Sequence, residues 1–149
     1  MASILKYCFG LPEVAFEAGA QLIAEDAQRG PLFILVAGTV EVLRDGVAVA
    51  KTDQPGAIFG EMSTLLDVPH TATVRAVSDV RVHIINEPNQ FLESRPQIAL
   101  EVARLLARRL NEATTYLVEA RNAHQSGDYP LDVVSEIINS IAHGQGAAR

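Results

Sequence analysis

The sequence predicts a mainly β protein, a jelly-roll-like β-roll flanked by a short N-terminal segment, a short helix and a long C-terminal helix. Three observations predict it. Between residues 14 and 86, short apolar runs are cut by Gly19, Gly30, Gly38, Gly46, Gly56 and Gly60. Several of these runs alternate polar with apolar residues, the period of a half-buried strand. Beyond Pro88 the period changes to that of a helix. Short strands so evenly punctuated pack as a closed or sandwiched unit, because closure removes exposed strand edges.

At 149 residues the chain is expected to build one domain with a single core. A net charge of −6 argues against the basic footprint that nucleic-acid binding requires. Arg104, Arg108 and Arg109 form the only dense basic cluster, and they read as a solvated helix face. Cys8 stands alone, so no internal disulfide forms and a reducing, cytoplasmic compartment is expected. Nothing in its sequence surroundings marks it as a reactive thiol. No apolar run approaches the roughly 20 residues of a membrane span. The start has Lys6 inside its short apolar stretch and no cleavage pattern, so no signal peptide is expected.

The expected strands follow in order. Val14 to Phe16 and Gln21 to Ala24 precede a polar loop, Glu25 to Gly30. Leu32 to Ala37 is apolar throughout, as a strand buried on both faces would be. Thr39 to Arg44 alternates with Val40 and Val42 inward. Asp45-Gly46 is a two-residue hairpin signal, since a type I′ turn needs positive φ at both positions. Val47 to Lys51 returns, Pro55-Gly56 turns again, and Val80 to Asn86 alternates once more.

Pro88 to Ser94 reads as a short helix that ends near Pro96, and Gln97 to Arg121 as a long one. Leu106, Leu110, Ala113, Leu117 and Ala120 recur in alternating steps of four and three. Such a seam packs on the protein's own strands or pairs two copies of the helix. A homodimer through Leu106, Leu110, Ala113 and Leu117 is the favoured reading, because Val102 and Leu105 remain to serve the roll. Asn122 to Asp128 reads as a linker. Leu131 to Ile141 reads as a final amphipathic helix with Val134, Ile137, Ile138 and Ile141 on one stripe. The organisation is thus residues 1–121 as the roll with its long helix, and residues 122–149 as linker, short helix and tail without a separate domain.

The chemistry concentrates at Phe59 to Ala76. Gly60 and Glu61 open a short apolar helical turn that breaks at Pro69. A strand then alternates, with Ala72, Val74 and Ala76 on one face and Thr71, Thr73 and Arg75 on the other. A glycine leading into a helix start exposes backbone N–H groups, which suits a phosphate. The adjacent carboxylate is suited to a sugar hydroxyl. No His-x-His pair, cysteine partner, nucleophile elbow or P-loop occurs among the residues, so neither a metal centre nor an enzyme is expected.

This stretch resembles the phosphate-binding cassette of the cyclic-nucleotide-binding domains, the family of the catabolite activator protein. Gly60, Glu61, Thr71 and Ala72 match the cassette at the expected spacing. The resemblance covers about residues 14 to 121. It implies an eight-stranded roll and a ligand, cyclic AMP first and cyclic GMP next, in a small cytoplasmic sensor or regulatory module. It implies that Glu61 meets the ribose 2′-hydroxyl. It implies that Gly60, Met62 and Ser63 offer backbone N–H groups to the cyclic phosphate, and that Thr71 donates a hydroxyl. Thr114 lines up with a base-contacting hydroxyl on the family's long helix.

His70 departs from the pattern, standing where the family has its phosphate-binding arginine. Arginine supplies a permanent charge and a planar fork, whereas histidine offers one donor and is only partly charged near neutrality. Three readings stay open: weaker cyclic-nucleotide binding, a different ligand, or a degenerate roll that binds nothing and works through protein contacts with an unidentified partner. The family's transcription factors continue from the long helix into a helix-turn-helix unit. Only 28 residues follow Arg121, so a module without its own DNA-reading helix is expected.

Overall fold

The computed structural model describes residues 4–123. A short 3-10 turn, Ile4–Tyr7, precedes eight strands. These are β1 Glu13–Phe16, β2 Gln21–Ile23, β3 Leu32–Ala37, β4 Val40–Arg44, β5 Val47–Thr52, β6 Ile58–Phe59, β7 Thr73–Ala76 and β8 Val80–Ile85. Helix α1, Glu61–Leu66, lies between β6 and β7, and α2 (Pro88–Ser94) and α3 (Pro96–Ala123) follow β8.

The strands form two four-stranded sheets, ordered β1-β8-β3-β6 and β2-β7-β4-β5, with every pairing antiparallel. Both sheets contribute to one core, in which Phe33, Leu35, Phe59, Val80 and Val82 of the first meet Ile23, Val40, Val74 and Ala76 of the second. Burying an aliphatic or aromatic side chain of this kind contributes about 1.5–3 kcal/mol. The expected eight-stranded roll is therefore present. β3 is the strand with four consecutive buried residues, because it sits between β8 and β6 and is covered on both faces. The β4–β5 hairpin turns at Asp45 and Gly46, whose φ values of 51° and 76° are both positive, as a type I′ turn requires.

One local expectation is corrected. The cassette strand begins at Thr73, and Thr71 and Ala72 form a bend. The chain at His70 is still bonded to the loop at residues 26 and 27, so it joins β4 and β2 only afterwards. β6 has no counterpart in the sequence reading: two residues are too few to display a period.

By packing, the chain divides into two compact units, Met1–Val102 and Ala103–Arg149. In the first, Ile98 and Val102 at the start of α3 are buried. In the second, Leu106 and Leu117 are half-buried, while Leu110, Ala113, Tyr116 and Val118 are exposed. The expected helix at Leu131 to Ile141 lies outside the described residues.

Candidate functional site

Gly60 caps α1 from the left-handed region, with φ 90° and ψ 3°. A side chain there would strain the backbone, and its Cβ would be crowded. Its Cβ would lie 3.0 Å from the Pro31 carbonyl oxygen, 3.5 Å from His70 Cε1 and 3.6 Å from Ile23 Cδ1. The start of the helix is thus pressed against the loop before β3 and against His70. Glu61, the first helical residue, is 5% exposed. The Thr64 N–H donates to the Gly60 carbonyl at 3.2 Å, as does the Thr64 hydroxyl. Helix geometry offers no intrahelical acceptor to the N–H groups of Met62 and Ser63, which precede that bond.

The far end of α1 is closed by its own residues. Asp67 adopts the left-handed conformation and its N–H donates to the Ser63 carbonyl. The Ser63 hydroxyl donates to the Val68 carbonyl at 2.6 Å. On the surface, the Arg29 guanidinium pairs with the Asp67 carboxylate. Both side chains are mostly exposed, so the pair contributes about 0–1 kcal/mol.

His70 is 6% exposed. Its N–H donates to the Ala27 carbonyl at 2.9 Å, and its carbonyl accepts from the Asp26 N–H at 2.8 Å. The backbone is therefore fixed on both sides to the loop between β2 and β3. The imidazole edge formed by Cε1 and Nε2 points at two glycines, Gly60 and Gly30. Among the described residues the ring takes part in no hydrogen bond. Burial lowers its pKa below the ordinary 6.5, because desolvation penalises the imidazolium.

Gly60, Glu61, Met62, Ser63, His70, Thr71 and Ala72 all lie in the first unit, where Gly60 and His70 meet. Met62 is 42% exposed, and Thr71 and Ala72 are half-buried. Thr114 lies in the second unit, where its hydroxyl donates to the Leu110 carbonyl at 2.8 Å, a bond that any helical threonine can make. Sequence reasoning missed Gly30, Pro31, Ala27 and Ile23 as neighbours of the turn. No local signal marks them, since they come from a different stretch of chain brought in by the fold.

A cavity of about 270 Å³ opens beside α1 and is lined by residues 29–31, Thr64 and residues 86–89. It does not include Gly60, Glu61 or His70. His83 is buried on β8 and shares a hydrogen bond of 3.1 Å with the Pro12 carbonyl. A carbonyl only accepts, so Nδ1 carries the proton and His83 is a satisfied core histidine. Among the described residues no cluster of metal-ligating side chains occurs, and no helix is long and apolar enough to cross a membrane.

The model of the cyclic nucleotide-binding domain matches residues 13–93, more than half of the chain. The chain belongs to the cyclic nucleotide-binding domain family. The domain's match holds the whole roll, the cassette helix and nearly all of α2. The chain is 29% identical over 115 residues to the CRP-like cAMP-activated global transcriptional regulator of Mycobacterium tuberculosis, covering 73% of this chain and 51% of that protein. It is 31% identical over 133 residues to the Pycsar effector protein XpPycTIR of Xanthomonas perforans, covering 85% of this chain and 44% of that protein. The chain thus spans about half the length, or less, of these curated relatives. The catabolite activator protein of Thermus thermophilus shares the fold, with a TM-score of 0.61 at 23% identity over 91% of this chain and 78% of that one.

Proposed function

We propose that this domain is a sensor or regulatory module that binds a cyclic nucleotide, cyclic AMP or cyclic GMP, at the turn from Gly60 to Glu61, and binds it weakly. The observation that carries the reading is the meeting of Gly60 and His70, with the buried Glu61 next in the chain, inside the segment matched to the family. The backbone N–H groups at the start of α1 face the phosphate, Glu61 takes the ribose hydroxyl, and His70 serves as the side-chain donor. Thr71 and Ala72 border the phosphate. A neutral imidazole in place of a guanidinium forfeits a charge-assisted hydrogen bond, about 1.5–3 kcal/mol, or roughly ten- to a hundredfold in affinity. The site performs recognition and no catalysis.

A second reading is favoured by the depth of His70: a ring 6% exposed fills the seat that an anion would need, leaving a roll that acts through protein contacts alone. Isothermal titration with cyclic AMP and cyclic GMP separates the two. Saturable heat that Glu61→Ala diminishes supports the binding module; no heat with either nucleotide supports the second reading. In both, the α3 seam pairs two copies of the chain.

A further inference from the structure

Of the six glycines that punctuate the roll, Gly19, Gly38, Gly46, Gly56 and Gly60 have positive φ and so meet a backbone demand. Gly30 does not. A Cβ at residue 30 would meet only His70 Nε2 at 3.6 Å and the Gln28 carbonyl oxygen at 3.9 Å, both ordinary contacts. The backbone therefore accepts an L side chain here, and what the glycine provides is space in front of Nε2.

That space matters because residue 70 cannot move away. Its N–H and carbonyl are bonded to Ala27 and Asp26 of the same loop that carries Gly30, so loop and histidine travel together. The side of the ring that bears Nε2 faces residue 30. We propose that Gly30 is a positioning residue for the ligand: by carrying no side chain it leaves Nε2 of His70 open to an incoming phosphate oxygen. The inference rests on the cyclic-nucleotide reading above and names a residue outside the cassette that governs it.

The charged groups on the elements around the ring are Asp26 and Arg29 in the loop, Glu61 at the start of α1, Asp67 just past its end, Glu25 after β2 and Arg75 on β7. Arg29 is paired with Asp67 and Arg75 with Glu41, and the Glu25 carboxylate accepts the Asp45 N–H. Burial alone lowers the His70 pKa. A methyl group at residue 30 deepens that burial. A carboxylate there does the opposite, holding the imidazolium in place of the phosphate.

The test uses the full chain with Gly30→Ala and Gly30→Asp. Ring resonances of His70 are followed by NMR against pH, and cyclic AMP and adenosine are titrated calorimetrically. Gly30→Ala is expected to melt as the wild type does, to lower the His70 pKa further, and to weaken cyclic AMP roughly three- to tenfold while leaving adenosine unchanged, the loss of one hydrogen bond to the phosphate. Gly30→Asp is expected to raise the His70 pKa and also to weaken cyclic AMP. A His70 titration unmoved in both variants overturns the proposal, as does equal weakening of cyclic AMP and adenosine. If the wild type binds neither compound, the cyclic-nucleotide reading fails and takes with it a role for Gly30 toward a phosphate. A shifted titration then leaves only the contact between Gly30 and His70.

Discussion

The Arg75 guanidinium is held by the Glu41 carboxylate across the paired strands β7 and β4, with Nε to Oε1 at 2.8 Å. Arg75 is exposed, and its neighbours Val74 and Ala76 are buried, so the strand's alternation directs it away from the core. It is the arginine nearest in sequence to His70, yet it is committed to Glu41. Arg75→Ala is therefore expected to leave cyclic nucleotide affinity within about twofold of wild type and to cost about 0–1 kcal/mol of stability. A collapse of binding in this variant would mean that Arg75, and not His70, meets the phosphate.

His70→Arg is expected to strengthen cyclic AMP binding by roughly tenfold or more, through the charged hydrogen bond that the imidazole lacks. The backbone bonds to Ala27 and Asp26 do not use the side chain and so remain available in the variant. Calorimetric titration of the variant beside the wild type reads the gain directly, and unchanged affinity would show that residue 70 does not face the phosphate.

Two pH dependences of opposite sign follow from the depressed pKa of His70. Without ligand, the unfolded chain takes up the proton before the folded one does. Stability from this group is complete above the unfolded value of about 6.5 and is lost as pH falls from there towards the lower folded value. With a phosphate nearby the imidazolium gains, so cyclic nucleotide affinity rises over the same fall in pH. Urea melts and titrations between about pH 5 and 8 measure both slopes. His70→Gln is expected to remove both, and an affinity independent of pH would exclude the imidazole from the site.

The glycines rank by the strain that a methyl group would bring. At Gly38, φ is 97° and a Cβ would lie 2.3 Å from the Asp79 carbonyl oxygen; at Gly60, φ is 90° and the Pro31 carbonyl oxygen would be 3.0 Å away. Gly38→Ala is expected to cost the most, with Gly60→Ala at about 1–2 kcal/mol or more and Gly30→Ala within about 0.5 kcal/mol of wild type. Chemical denaturation of the three variants checks the order.

Leu110 is 48% exposed on α3, and with Leu106, Ala113 and Leu117 it forms the heptad seam. A homodimer is expected at micromolar concentration, and Leu110→Glu is expected to dissociate it, since a carboxylate at a paired seam loses its water without gaining a partner. Sedimentation decides it. A monomeric wild type that the substitution does not alter would remove the seam as an interface.

Much of the roll could be read from local chemistry. The Asp45-Gly46 hairpin, the buried run of β3 and the short helix beginning at Pro88 follow from φ requirements, from period and from proline's tolerance for the first helical turn. Gly60, Glu61 and His70 could be proposed as one site from the sequence because they lie in one continuous stretch. β6 was not legible, since its identity as a strand comes from its partner β3 and not from its two residues.

By itself, then, the sequence determined the class of fold, and it carried the expectation of a cassette at Gly60 to Ala72 with histidine in the place of an arginine. These depend on backbone preferences and on neighbours along the chain. Only the tertiary structure decided where His70 sits and what surrounds it. Its burial, the pairing of its backbone with Ala27 and Asp26, and the closeness of its ring to Gly30 arise from a loop packed against it. Contacts between segments distant in sequence leave no periodic trace in either segment. The pKa of a histidine depends on those contacts, because desolvation is set by everything packed around the ring.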